Sequence, residues 1–482
     1  MSQPQPDRVS PEEMGSLIME SNWSATKFIG VDLGDRRLNQ RILTVSAGFA
    51  AQPQGQIPQA CEDWAGAKGA YRFFENPKVR AERILAPHQQ RTCARMSGHA
   101  RVFAVQDPCY LNDTQHPATQ GLGLIGSEED GQGGLIMHST LAMTPQGVPL
   151  GLLTQDIWAR EEADPELDTA ARRAQRRQSP IEAKESCKWL KAVQETVALC
   201  PDGVDVVHVC DREADMYEMF QTVQDLGATV VVRASQDRAV VDSGRMRQVL
   251  SMRPVSGYLK VAIPAQRGRA ARTATVEVRY GDLTFRPPYR APSCQAHLRP
   301  VTVSAVWVRE IDAAADVEKP LEWLLVTNVP VSSFEEAVER VRWYRLRWPI
   351  EVFHKVLKSG CQVEDCRLDK ADERIRYLTL KSVIAWRLFW MGQMNRAQPD
   401  AACTVVLADH EWQALYVAIH RTSALPETVP TVRQVVRWLA QLGGFLGRTC
   451  DGEPGMTVMW RGWQRLHALA TMWVVVHGTP SR

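Results

Sequence analysis

The chain has 482 residues, 44% of them hydrophobic and 23% charged, with a formal net charge of +2. That length allows two to four domains with separate cores, and no run of about 18 apolar residues is present to cross a membrane. The near balance of charge excludes a globally basic polyanion binder, so any nucleic-acid surface must rest on local patches. The eleven cysteines include no CxxC pair. Cys361 and Cys366 come closest without a second ligand pair, which points to reduced cysteines in a cytoplasmic protein rather than zinc or disulfides.

Residues 1–20 are polar, contain proline and lack the apolar segment of a secretory signal, so they read as a mobile leader. From Asn22 to Pro77 the pattern is helical. A Gly-Asp turn with Asp35 as N-cap opens one helix, a loop follows near Gln52–Gln59, and Ala65–Phe74 form another helix closed by Asn76-Pro77. Residues 81–97 read as a connecting helix. Arg101–Asp107 then reads as a buried strand ending in an acid, the position at which α/β enzymes place catalytic groups. Gly121–Gly126 satisfies GxGxxG, but a loop composition follows it where a dinucleotide site needs a helix. Gly134–Met143 and Val148–Trp158 form a hairpin across Pro145-Gln-Gly147. Ala159–Ser179, acidic and then basic, reads as an exposed loop.

A helix opened by Lys184–Trp189 runs to Cys200, and the strand Val204–Cys210 delivers Asp211. Asp215, one turn on, reads as a helix-start carboxylate or a support for the site. After the strand Thr229–Arg233 come about a hundred residues of β character, with strands at Tyr258–Ile263, Thr275–Tyr280, Ser304–Val308 and Trp323–Thr327 and basic turns at Arg267, Arg269 and Arg272. Ser332 and Glu335 form a capping box that opens a helix. Pro349 ends or kinks that helix and suits the first position of another, with Glu351 in its first turn. Glu351, Lys355 and Lys358 then share one face, with Lys355 the better placed to pair with Glu351 and Lys358 left as an exposed charge for a phosphate. Helices continue to Asn395, and after a break at Gln398–Asp400 comes an aromatic-rich helical end containing Trp412, Met459-Trp460 and Trp463.

The spacing Tyr-x2-Arg-x3-Glu-x6-Lys at Tyr344, Arg347, Glu351 and Lys358 resembles the Y-R-E-K signature of bacterial insertion-sequence DDE transposases, the insertion-sequence-four family, and within it the transposon-five type. Arg347-Trp348 and Phe353-His354-Lys355 match as well, as do Leu33-Gly-Asp35, Gly69–Phe73 and Lys184–Trp189. The resemblance implies an α/β protein with a ribonuclease-H-like core at 81–395, interrupted by a β insertion at about 234–328. It also implies a helical end-binding domain at 1–80 and a helical dimerisation domain at 396–482. Asp107, Asp211 and Glu351 become the catalytic and metal-binding triad, a hard oxygen set suited to two Mg2+ ions, with Mn2+ as substitute. Tyr344, Arg347, His354, Lys355, Lys358 and Arg233 become DNA contacts, with Trp323 a stacking platform and Arg37, Arg41 and Arg72 contacts of the N-terminal unit. On residue type alone these arginines also suit solvated helix faces, and Trp323 suits a core.

The implied function is cut-and-paste transposition. The protein would bind transposon ends as a homodimer in a paired-end complex, cleave them through a hairpin and join the 3′ ends to target DNA, with the nucleoid as its place of work. The alternatives are a nuclease of the same fold that only cleaves and a catalytically inactive DNA-binding regulator. Pro349 stands where the transposon-five type has a basic residue, which removes one phosphate contact there.

Overall fold

The computed structural model describes residues 27–477 except 62, 127–129, 162–165, 243, 264–270, 290–297, 314–316, 318–319 and 449–450. The leader, Arg267 and Arg269 lie outside the described residues. Arg272, expected in a turn, opens a strand and is paired with Glu310.

The N-terminal helices follow their caps. Helix α1, Arg36–Ala51, starts where the Asp35 carboxylate accepts the Arg37 N–H at 2.8 Å, and α2, Trp64–Glu75, starts where Asp63 accepts the Gly66 N–H at 2.7 Å. Between them, where a loop was expected, Ile57–Ala60 makes one helical turn. Gly48 is required there, because a Cβ would stand 1.9 Å from the Ala60 carbonyl oxygen. Helix α3 spans Ala81–Met96.

Strand β1, Arg101–Asn112, does not stop at Asp107 but runs five residues further. It pairs antiparallel with β3, Gly133–Met143, which carries the short β2, Gly123–Leu124, and turns into β4, Pro149–Trp158. The turn forms as expected, with Gly147 at φ 82°. The charged stretch after β4 is not all loop. Asp168 caps a helix, α4, at Thr169–Gln178, built from Ala, Arg and Gln, which are strong helix formers. Helix α5, Cys187–Leu199, leads to β5, Asp205–Cys210, and α6, Tyr217–Asp225, to β6, Thr229–Arg233. β5 lies parallel between β1 and β6.

The strands that follow do not form a separate sheet. After β7 (Ala239–Val240), β8 (Gly244–Arg245) and α7 (Met246–Met252) come β9 (Gly257–Ile263), β10 (Arg272–Phe285), β11 (Val301–Glu310) and β12 (Glu322–Thr327). β12 pairs antiparallel with β6, so one twelve-stranded sheet runs β2-β3-β1-β5-β6-β12-β11-β10-β7-β8, with β4 on β3 and β9 on β10. The architecture is mixed α/β, a large sheet with helices on it.

Helix α8, Phe334–Arg345, is capped by Ser333, one residue later than expected, with Glu336 rather than Glu335 reaching back to Ser332. Pro349 sits in the first turn of the next helix, α9, Trp348–Lys355, and Val356–Gly360 continue as a π turn. The long α10, Ala371–Ala397, is buried along most of its length. Phe49 and Phe74 meet Tyr377 edge-on at 5.5 and 5.7 Å, and Lys381 of α10 donates to the carbonyls of Pro53 at 2.6 Å and Gly55 at 3.2 Å. Helices α11 (Asp409–His420), α12 (Val432–Leu442) and α13 (Met456–His477) close the other side. The Trp463 indole of α13 donates to Ala50 O at 3.1 Å, so the aromatic end is core that reaches back to α1. No helix among the described residues is long and apolar enough to cross a membrane.

Candidate active site

Parallel pairing of β1 with β5 ends in step, Val105 opposite Val209. Asp107 and Asp211 each lie two residues past that last rung. They therefore emerge side by side on one face, since side chains alternate with a period of two. Asp107 is buried within β1, and Asp211 caps a short 3-10 turn, accepting the Glu213 N–H at 2.7 Å. Burial raises the Asp211 pKa, and the negative charge of Asp107 adds to the rise while the Glu213 N–H opposes it. The two carboxylates thus share one electrostatic site.

The helix break brings in the third acid. Glu351, in the first turn of α9, is bound by Arg347 one turn before it. The same guanidinium reaches Asp107, Nη1 to Oδ1 at 3.1 Å, so one cation bridges Asp107 and Glu351. Burial would lower the Arg347 pKa, but Asp107, Tyr344 and Glu351 outweigh it and the pKa is raised. Lys355, expected to pair with Glu351, is exposed, and Arg347 takes that role.

The other residues expected to contact DNA divide by position. Tyr344 is buried against the Trp323 ring at 6.3 Å and is hydrogen-bonded to Arg233, whose Nη2 also donates to Glu322 O at 2.9 Å. His354 is buried, with Nδ1 3.6 Å from Asp107 Oδ2. Lys358 is not an isolated charge on the Glu351 face. The π turn redirects it to Tyr110 O of β1 at 2.9 Å and to Glu364 at 3.0 Å. At the N-terminal unit Arg37 and Arg72 are exposed, while Arg41 lies against Gly69 of α2, where an added Cβ would meet its Nη1 at 2.6 Å.

Two neighbours, Glu364 and Lys188, were not singled out as supports of the site. Glu364 accepts Lys358 and the Asn112 N–H at 2.8 Å, fixing the far end of β1. Lys188, buried on α5, ties Glu185 at 3.4 Å to Glu213 at 3.1 Å, just past Asp211. Its place in the Lys184–Trp189 motif was the available signal. Asp215, expected at a helix start or as a support for the site, is buried and holds Arg238 and the N–H groups of Ser235 and Gln236, so it clasps the chain after β6.

Among the described residues no three His, Cys, Asp or Glu side chains gather closely enough to hold a metal ion as they stand. The donor chemistry nevertheless fits a hard divalent cation. Asp107 and Glu351 already converge on a single cation, the Arg347 guanidinium, and Asp211 senses the charge of Asp107.

Comparison with known families bears on the two ends of the chain. Residues 20–79 match the family model for transposase DNA-binding, and residues 383–475 match that for the transposase Tn5 dimerisation domain. The two matches support a Tn5-like DNA transposase. They support DNA as partner and a dimer as assembly, and both flank the acids of the sheet without including them. A cryo-EM structure of the piggyBac transposase synaptic complex with hairpin DNA aligns over 98% of this chain and 82% of that one. Its identity is 8% and its TM-score 0.33, too low to carry an argument.

Proposed function

We propose that this Tn5-like protein is a cut-and-paste DDE transposase of the insertion-sequence-four type, with a ribonuclease-H-like core and a Y-R-E-K signature at Tyr344, Arg347, Glu351 and Lys358. One observation carries the reading: the β1–β5 register sets Asp107 beside Asp211 while Arg347 pairs with both Asp107 and Glu351, so one guanidinium links acids from distant segments. Those three carboxylates would hold two Mg2+ ions, or Mn2+, which when bound activate the attacking oxygen and stabilise the leaving one.

The chain's own residues do the rest. In the DNA-free protein Arg347 neutralises Asp107 and Glu351, and an incoming phosphate competes for its guanidinium in the bidentate geometry that arginine offers. His354 stays beside Asp107 Oδ2 and keeps that carboxylate oriented when Oδ1 is released. Lys358, fixed near β1, presents a point charge to the backbone, and exposed Lys355 adds another. Tyr344, Arg233 and Trp323 form one wall, where Trp323 would receive an unstacked base. The N-terminal helices would read the transposon end and the C-terminal helices pair two copies, at work on the nucleoid.

The test is incubation of the full chain, with Mg2+, and duplexes carrying the terminal inverted repeats that flank its own gene, together with a target plasmid. Nicks at the element boundary, hairpin-ended products and joining to the plasmid are expected, and Ala at Asp107, Asp211 or Glu351 should abolish all three while leaving end binding. Boundary cleavage without joining would reduce the reading to a nuclease, and end binding without cleavage to an inactive regulator.

A further inference from the structure

A strongly basic helix lies outside the proposed active site. Helix α4 reads TAARRAQRRQ, four arginines and no acid in ten residues, and none of its described residues is buried. Arg173, Arg176 and Arg177 are exposed. Arg176 also lines an open cavity of about 510 Å³ with Arg160, Lys184 and Ser186, to which Glu161 and Glu185 contribute the opposing charge. Arg160 is committed to Glu185 through two N–H···O contacts of 2.6 and 3.0 Å. The further cations on this cavity and the helix surface are Lys184, Arg173, Arg176 and Arg177.

Side-chain contacts link this cavity to the segments that carry the carboxylates. The Arg160 guanidinium lies 5.6 Å from the centre of the Tyr110 ring, and Tyr110 O is the acceptor for Lys358. Tyr110 stands three residues along β1 from Asp107, about 10 Å at 3.3 Å per residue. From the other side, Lys188 links Glu185, the partner of Arg160, to Glu213 beside Asp211. Contacts thus run from Asp211 through Glu213, Lys188, Glu185 and Arg160 to the cavity that Arg176 lines.

We infer that α4 and the cavity beside it form the docking surface for target DNA, held through its phosphates and without sequence preference. The inference rests on the transposase reading and goes beyond it by assigning the target a surface. The guanidinium groups of Arg173, Arg176 and Arg177, spaced along the exposed side of a helix, suit phosphates rather than base edges. Selection of the end belongs to the N-terminal unit, so a surface that grips any duplex serves the partner that must be accepted without selection.

The experiment compares wild-type protein with R173Q/R176Q/R177Q and with R173K/R176K/R177K, which keeps the charge. Binding of a random 40-bp duplex lacking the inverted repeat is measured against salt, beside end binding, end cleavage and strand transfer into a plasmid. Three lost phosphate contacts should lower the log–log salt slope for the random duplex by about 2–3. Strand transfer by the glutamine variant should fall at least tenfold, with end binding and cleavage within twofold of wild type and the lysine variant near wild type. Unchanged random-duplex binding and transfer would overturn the inference, and so would an equal loss of end binding, which would give the face to the transposon end. Failure of the transposase reading itself shows separately, as wild-type protein that does not cut the ends, while the random-duplex titration still decides whether α4 grips DNA.

Discussion

Removing the Arg347 guanidinium should uncover the site, and the cost can be worked from its two contacts. Its side chain is 16% exposed and that of Asp107 12%, so their pair at 3.1 Å is largely withdrawn from water. At an effective dielectric near 20, unit charges about 4 Å apart interact by about 4 kcal/mol. Deleting one partner of a buried pair costs about 3–5 kcal/mol, because the other charge stays behind. The Glu351 arm, with that carboxylate 34% exposed, is discounted for screening. Arg347→Gln should therefore destabilise the metal-free protein by about 3 kcal/mol and lower its melting temperature by several degrees. A divalent cation can then neutralise the acids without displacing a guanidinium, so Mn2+ at about 100 times its Kd should return about 2.7 kcal/mol to the variant. Wild type should gain less. Thermal unfolding of both proteins across a Mn2+ titration reads the difference. A variant that melts with wild type, or equal Mn2+ stabilisation of the two, would refute the bridge.

Three further outcomes follow from the same geometry. Asp211 has a raised pKa, so its ionised form costs stability above that value and the cost is relieved as pH falls through it. Asp211→Asn, which keeps an acceptor for the Glu213 N–H, should raise the urea midpoint of metal-free protein at pH 7 while abolishing cleavage. Lys358→Ala loses Tyr110 O and Glu364, so it should cost about 1–3 kcal/mol as well as about one unit of the DNA salt slope, in place of the unchanged midpoint expected of an exposed lysine. Burial pushes Lys381 down to about 8 from 10.5. Between those values the unfolded chain holds the extra proton, so stability should rise with pH across that window by up to about 3 kcal/mol. Lys381→Met should show a flat urea midpoint there.

What was legible in the sequence was chemistry that acts over a few residues. Asp35 as a cap, Gly147 in the β3–β4 turn and Pro349 opening α9 each follow from a local backbone requirement that tertiary packing leaves unchanged. The end of β1 was not legible. The strand expected to end at Asp107 continues through Pro108, which β1 accepts because pairing with β5 has already ended at Val105. Lys358 was placed by counting along a regular helix, and the π turn at Val356–Gly360 breaks that count. The Arg347 bridge depends on where β1 lies relative to α9, a distance set by the whole sheet. His354 looked like part of a basic face because its type and spacing do not reveal which side of α9 is covered.

The pairing of β12 with β6 makes the stretch between them a poor candidate for excision. A shortened protein lacking residues 234–328 would keep β5 and its acid but turn β6 from an inner strand into a bare edge. Val230, Val231 and Val232, all buried in the intact sheet, would then flank a row of unpaired backbone groups. Such an edge recruits another like itself. The minimal enzyme that this deletion seems to offer should accumulate as inclusion bodies, and any trimming for engineering is better directed at the β7–β8 end of the sheet, where an edge already exists.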